Sequence, residues 1–313
     1  MGQDTVARRP LAEHPAWARA LRGDGLASRM ILPVVVSASV EDRERVEGTG
    51  QLERLSLTEL VRDARAAASA GFAGMLLFGA TDRKDSRAYI ASERDHIVQR
   101  AIRAVKEAVP ELGIATDVCV CAYTDHGQCV LFRDGAADVN GTLERLGEIA
   151  VAHADAGADL LIPSGMLDGS VAALRRALGG QHDGVPVAAM AKLESTLYSV
   201  HQILVQSTPI RERAVPLLAA DDPSASRARA LRDVAEGADA VVVKPGTALD
   251  IVAGLRPLVA RPLIAFHTAD EHAAFIDAAL DIDGPAAERE TLAAARRAGA
   301  DLVISYGAWS AAE

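Results

Sequence analysis

The sequence predicts a single (β/α)8 barrel, and three observations carry that prediction. First, a short unit recurs four times, in which a helical pattern stops at a glycine and a continuous apolar run follows. It is seen at Ala70-Gly71-Phe72-Ala73-Gly74 before 75–78, Ala156-Gly157-Ala158-Asp159 before 160–162, Glu236-Gly237-Ala238-Asp239 before 240–243 and Ala298-Gly299-Ala300-Asp301 before 302–304. A glycine there suits a left-handed helix C-cap, and an apolar run without alternation suits a strand buried on both faces of a parallel sheet. Second, further apolar runs at 31–36, 113–118, 185–191 and 262–266 bring the strand candidates to eight, the number in a barrel of this kind. Third, the main alternative, an open doubly wound sheet, usually carries a glycine-rich turn after its first strand, and Val34-Val35-Val36-Ser37-Ala38-Ser39 has none.

The elements follow in order. Residues 1–28 read as a short N-terminal extension and 29–313 as the barrel. Between the strands, helical patterns fall at 57–70, 93–109, 141–156, 169–179, 224–236, 247–258, 270–280 and 285–298; the first places Leu60, Val61, Ala64 and Ala68 at helical spacing. The stretch 193–223 is long for a connection between a strand and its helix, and loops of that length are often lids.

Composition narrows the function. Half of the residues are hydrophobic, 24% are charged and only 4% are aromatic, with a formal net charge of −10. That charge argues against a sequence-independent nucleic-acid partner, which needs a basic surface. No apolar run approaches the ~18 residues needed to span a membrane. Met1-Gly2-Gln3-Asp4-Thr5-Val6 lacks the apolar core of a signal peptide, and Val6 stands where a myristoylation motif needs Ser or Thr. The sequence therefore reads as cytoplasmic.

The basic residues are chosen unevenly. Of 33, only Lys84, Lys106, Lys192 and Lys244 are lysines. Lys192 and Lys244 directly follow the fifth and sixth apolar runs, at the barrel end where chemistry is placed. A lysine there is partly desolvated, a second ammonium nearby lowers its pKa further, and a neutral amine is what attacks a carbonyl to form a Schiff base. Reading the other strand ends adds Asp117, Ser164 and Tyr306.

The three cysteines, Cys119, Cys121 and Cys129, fall within one loop. A structural disulfide does not suit a cytoplasmic protein with an odd count. Three thiolates with an open fourth position suit a catalytic zinc. His126, in the same loop, is either a further ligand or an outer neighbour.

These residues carry a resemblance. The chain resembles the porphobilinogen synthases (δ-aminolevulinic acid dehydratases), barrel hydro-lyases of tetrapyrrole and heme biosynthesis that condense two 5-aminolevulinate molecules into a pyrrole. The likeness runs from about Ile31 to Tyr306. It is most specific in Thr116-Asp117-Val118-Cys119-Val120-Cys121, Tyr123-Thr124-Asp125-His126-Gly127, and Pro163-Ser164-Gly165-Met166-Leu167-Asp168-Gly169. The resemblance implies that Lys244 forms the first Schiff base and Lys192 the second, and that Cys119, Cys121 and Cys129 bind Zn2+. It further implies that Asp117, Ser164, Tyr198 and Tyr306 line the site. It also implies a homo-oligomer, the family's usual form being an octamer joined by N-terminal arms, which are short here.

The departures sit where the resemblance places the substrate carboxylates. Of the family's two lid arginines, the first is Gln202 here. The second matches Arg213 across a one-residue gap, with Arg211 as competitor. The serine after the seventh strand is Ala269, and Leu193 and Leu197 replace aromatics. Besides a 5-aminolevulinate dehydratase, two readings therefore stand: a paralogue using the same Schiff-base chemistry on another amino ketone in specialised metabolism, and a non-catalytic barrel scaffold.

Overall fold

Eight parallel strands form the frame: β1 (Met30–Ser37), β2 (Gly74–Ala80), β3 (Gly113–Val118), β4 (Leu160–Pro163), β5 (Ala188–Lys192), β6 (Ala240–Lys244), β7 (Leu263–His267) and β8 (Leu302–Ser305). The computed structural model describes residues 11–277 and 282–312. The reading of the extreme N-terminus, and the last residues of the helical pattern 270–280, lie outside them. The strands pair in the order β4-β3-β2-β1-β8-β7-β6-β5. The ring closes where Leu161 bridges Val187 in parallel, with the Leu161 N–H donating to Pro186 O at 3.0 Å. The result is a (β/α)8 barrel, as the sequence predicts.

Most strand residues are buried, as their unbroken apolar runs require. The fifth strand starts later than the run 185–191 suggests. Pro186 has no N–H to give, and the Val187 N–H is taken by Asp239 Oδ2 at 3.0 Å, so regular pairing begins at Ala188. Helices surround the barrel at Leu57–Ser69, Ile97–Ala108, Val139–Ala156, Ser170–Leu178, Pro223–Ala235, Leu249–Leu255, Ala269–Ile276 and Gly284–Arg297. Their starts are capped by side chains: Ser56 accepts from Glu59 N–H, Asp138 from Gly141 N–H, and Thr268 with Glu271 forms a capping box.

The recurring unit has a physical explanation. Its glycine, at Gly71, Gly157, Gly237 and Gly299, takes a positive φ of 79°, 103°, 107° and 112° respectively, ending each helix in the left-handed region. The aspartate then stitches neighbouring strands. Asp159 Oδ2 accepts from Ile114 N–H (2.8 Å), Asp239 Oδ2 from Val187 N–H (3.0 Å) and Asp301 Oδ2 from Leu263 N–H (2.8 Å). Each carboxylate is also paired with a cation, Lys106, Arg175 and Arg256 respectively. Lys106 thus serves the barrel floor.

The described part of the N-terminal extension seals that floor. Its helix, Pro15–Arg22, presents Trp17, which is fully buried and donates from Nε1 to Asp159 O at 3.0 Å. The indole lies over Gly74 and Gly113, the first residues of β2 and β3, where an added Cβ would come within 2.8 and 2.7 Å of the ring. Among the described residues, no helix is long and apolar enough to cross a membrane.

Candidate active site

At the opposite end of the barrel, the strand termini open into a cavity. Lys192 and Lys244 close β5 and β6 and are register partners across the sheet. The Tyr198 ring lies 4.5 Å from the Lys192 ammonium and 5.2 Å from that of Lys244, and the Phe266 ring lies 4.0 Å from Lys244 Nζ. Tyr198 is held by its hydroxyl, which donates to Leu193 O at 2.7 Å. Lys244 is buried. Desolvation, reinforced by the Lys192 charge, lowers its pKa to about 7.

Asp117, near the end of β3, lines the same cavity with Ser164, which follows β4. Burial pushes the Asp117 carboxyl up to about 6, against the opposing pull of a hydrogen bond from Ser164 and of the two lysines. A carboxyl held there can both give and take a proton near neutrality.

The cysteine sulfurs lie within 4.8 Å of one another, Cys119 and Cys121 at 3.3 Å. Cys121 and Cys129 line the cavity, and Cys119 is buried beside them. Hydrogen bonds from Cys119 and Cys121 hold the Cys129 thiol well below the ordinary thiol range, whereas those same contacts and burial push Cys119 up. Three converging sulfurs, one of them readily ionised, fit a soft or borderline ion such as zinc and not magnesium. His126 is outside this cluster; its Nδ1 accepts from the Gln128 N–H at 3.1 Å.

The segment 193–223 covers the cavity. It contains a short helix, Ser199–Leu204, and returns to pair Leu218 with Leu193 beside the barrel. Gln202 and Arg213 line the cavity, while Arg211 is exposed and absent from the wall. Tyr306 is buried and reaches the site through His201: its hydroxyl lies 3.1 Å from His201 Nδ1, and it is His201 that lines the wall. Ala269 is fully buried at the start of its helix. Lys84, in polar sequence surroundings, anchors the lid by donating to Gln206 O.

The sequence reading missed three residues of this site. His201 edges against Phe78 with ring centroids 4.6 Å apart, and burial and both lysines keep its imidazole neutral. Phe266 walls Lys244. Gln128 binds the lid. Only Phe266 left a signal, as the last apolar residue of its run.

Known proteins resemble this chain over most of its length. The model of the family described as Delta-aminolevulinic acid dehydratase matches residues 7–313. Delta-aminolevulinic acid dehydratase of Escherichia coli (strain K12) is 36% identical over 298 residues, covering 91% of this chain and 89% of its own. The enzyme of that name from Synechococcus elongatus is 40% identical over 275 residues, covering 83% and 82%. Among solved structures, the delta-aminolevulinic acid dehydratase of Toxoplasma gondii ME49, in complex with the reaction product porphobilinogen, superposes with a TM-score of 0.87 at 30% identity. That match covers 93% of this chain and 85% of the other.

Proposed function

The chain belongs to the delta-aminolevulinic acid dehydratase family, and from that premise we propose that it is a cytoplasmic lyase that condenses two molecules of 5-aminolevulinate into porphobilinogen. The observation that supports this most is the register pairing of Lys192 and Lys244 in one cavity with Asp117 and the three thiols.

The Lys244 amine, neutral in a large fraction near pH 7, attacks the ketone of one substrate and forms an imine with release of water. Lys192 holds the second substrate in the same way. Confining both removes the entropic cost of a bimolecular encounter. The imine withdraws electrons from the neighbouring carbon, which loses its proton and bonds to the electrophilic carbon of the other substrate. Asp117 takes and returns protons in these steps. The lysine on the attacked carbon leaves as its neighbour loses a proton, the free amine of one substrate adds to the remaining imine carbon and displaces the other lysine, and loss of a last ring proton gives the pyrrole, so that the two substrates lose two waters overall. When bound by Cys119, Cys121 and Cys129, a zinc ion supplies Lewis-acid polarisation of a carbonyl. Arg213 pairs with a substrate carboxylate, Ser164 and Tyr198 shape the wall, and Tyr306 orients His201.

The test is direct. Zinc-loaded protein incubated with 5-aminolevulinate should yield a pyrrole detectable by colour reaction and mass, and borohydride should trap substrate on Lys244. A second reading, the paralogue acting on another amino ketone, draws support from the neutral Gln202 amide and from Arg213 being the one arginine in the cavity wall among the described residues. No pyrrole, with trapping of a different amino ketone, would favour it.

A further inference from the structure

We propose that Gln128 is a positioning residue whose side-chain amide straps the lid to the three-cysteine loop, so that metal binding at the cysteines sets the placement of Arg213 over the cavity. Gln128 is buried and immediately precedes Cys129. Its Nε2 donates to Arg211 O at 3.2 Å and to Glu212 O at 2.9 Å, and its Oε1 accepts from the Ala214 N–H at 3.0 Å. One amide therefore grips the backbone on both sides of Arg213.

A second observation shows that the two loops are built to touch. Gly127 has φ +67°, and a Cβ there would come within 2.6 Å of Thr208 O and 3.0 Å of Ser207 O. Only a residue without a side chain allows the lid backbone this close. Beside it, Ile210 N–H donates to His126 O at 3.3 Å. Among the described residues, every hydrogen bond reaching 210–214 from outside the lid comes from His126 or Gln128. The lid's other tethers flank this stretch: Arg54 on Ile203 O and Leu204 O, Lys84 on Gln206 O, and Asp270 on Ser199 and Val200 before it, and the Leu218 N–H on Lys192 O after it. They leave residues 210–214 to Gln128 and His126.

The consequence is a mechanical link. Three sulfurs held by an ion fix the loop from Cys119 to Cys129, and the Gln128 amide passes that order across to the residues flanking Arg213. Without the ion the loop loses its restraint and the strap loses its anchor. A lid segment opens more readily when its few tethers are loosened.

This inference rests on the reading of the three-cysteine cluster as a metal site, but its test needs no substrate. Trypsin cleavage after Arg211 and Arg213 reports opening of the strap, and the thiolate charge-transfer absorbance of bound Co2+ reports metal binding. In the wild type, added zinc should slow cleavage at these sites about tenfold. Gln128→Glu keeps size and the acceptor for Ala214 but loses both donors. It should bind Co2+ with an unchanged spectrum, yet zinc should slow its lid cleavage less than about twofold. Gln128→Ala should behave alike, and in both variants the substrate KM should rise while borohydride trapping at saturation is preserved. A wild-type lid indifferent to zinc overturns the proposal, as does a Gln128→Glu lid that zinc still protects. Loss of pyrrole formation with the protection pattern intact would instead count against the proposed function alone.

Discussion

Lys192 and Lys244 are register partners at the ends of adjacent parallel strands, and the Tyr198 ring lies within reach of both ammonium groups. Two lysines so placed cannot both carry charge cheaply in a buried cavity. The strain falls on Lys244, the more buried of the two, which suits it to be the first of the two proposed nucleophiles.

The pH dependence of trapping tests that assignment. With a Lys244 pKa of about 7, the neutral fraction should fall to roughly a tenth at one unit below. Single-turnover borohydride trapping should therefore rise through neutrality and level off. A rise centred near the ordinary lysine range, about 10.4, would contradict it. Lys244→Ala should lose trapping at this position and lower turnover by roughly a thousand-fold or more.

Stability carries the same signature with a defined sign. The folded pKa of Lys244 lies below the ordinary lysine value of about 10.4, so between these values the unfolded chain binds more protons. Wild-type stability contributed by this group is therefore lowest below the folded pKa and is regained as pH rises toward the unfolded one. Lys244→Met removes the penalty. Its denaturation midpoint should exceed wild type by an amount worth on the order of a few kcal/mol near pH 7. That advantage should shrink as pH rises toward about 10. An advantage independent of pH would mean that the lysine is not desolvated.

Metal removal separates a chemical from a structural role. One bound zinc is expected per active subunit. Because the sulfurs gather in one loop at the mouth while the core is sealed by Trp17 at the other end, a strong chelator should abolish turnover and leave far-ultraviolet circular dichroism intact. Losing an outer neighbour of a metal costs about 10–100-fold in affinity; Cys129→Ser, which removes a ligand, should cost at least that much. Unfolding by chelator would mark the zinc as structural.

Trp17 tests the floor. Trp17→Ala should destabilise by about 3–5 kcal/mol, because the glycines beneath offer no side chains to fill the void. Turnover at low temperature should remain close to wild type, since the indole lies at the far end of the barrel from Lys244. Unchanged stability would show that the helix Pro15–Arg22 is not part of the fold's cooperative unit.

The strands were legible because burial on both faces writes an unbroken apolar run, and the lysines were legible because each terminates one. The cysteines stood out by clustering. What escaped notice depends on contacts far apart in sequence. Trp17 meets Asp159 and Gly113, Gln128 meets Arg211, and His201 meets Tyr306. The lid helix Ser199–Leu204 has too few residues to display a period. The two short hairpins, Arg43–Arg45 with Glu53–Leu55 and Leu131–Arg133 with Ala136–Asp138, are exposed over much of their length and lack an apolar stripe. The choice between Arg211 and Arg213 was likewise open in sequence. Arg213 lines the cavity while Arg211 faces solvent, which supports Arg213 as the proposed carboxylate partner.

Gln202 offers a test of which substrate the cavity takes. It lines the cavity with Lys192 and Lys244, yet its amide is neutral, and Arg213 is the one guanidinium in the wall among the described residues. Two 5-aminolevulinate molecules bring two carboxylates. A charge-assisted hydrogen bond to a carboxylate is worth roughly 1.5–3 kcal/mol. If the second carboxylate lies near Gln202, Gln202→Arg should raise kcat/KM for 5-aminolevulinate by about ten- to a hundredfold. The gain should appear in KM, because the tail is far from the reacting carbons and is bound equally in ground and transition states. An arginine that leaves KM unchanged or raises it, while turnover of an amino ketone with a neutral tail falls, would show that the amide is matched to a substrate without a carboxylate at that end. The same measurement therefore decides between the 5-aminolevulinate enzyme and its paralogue.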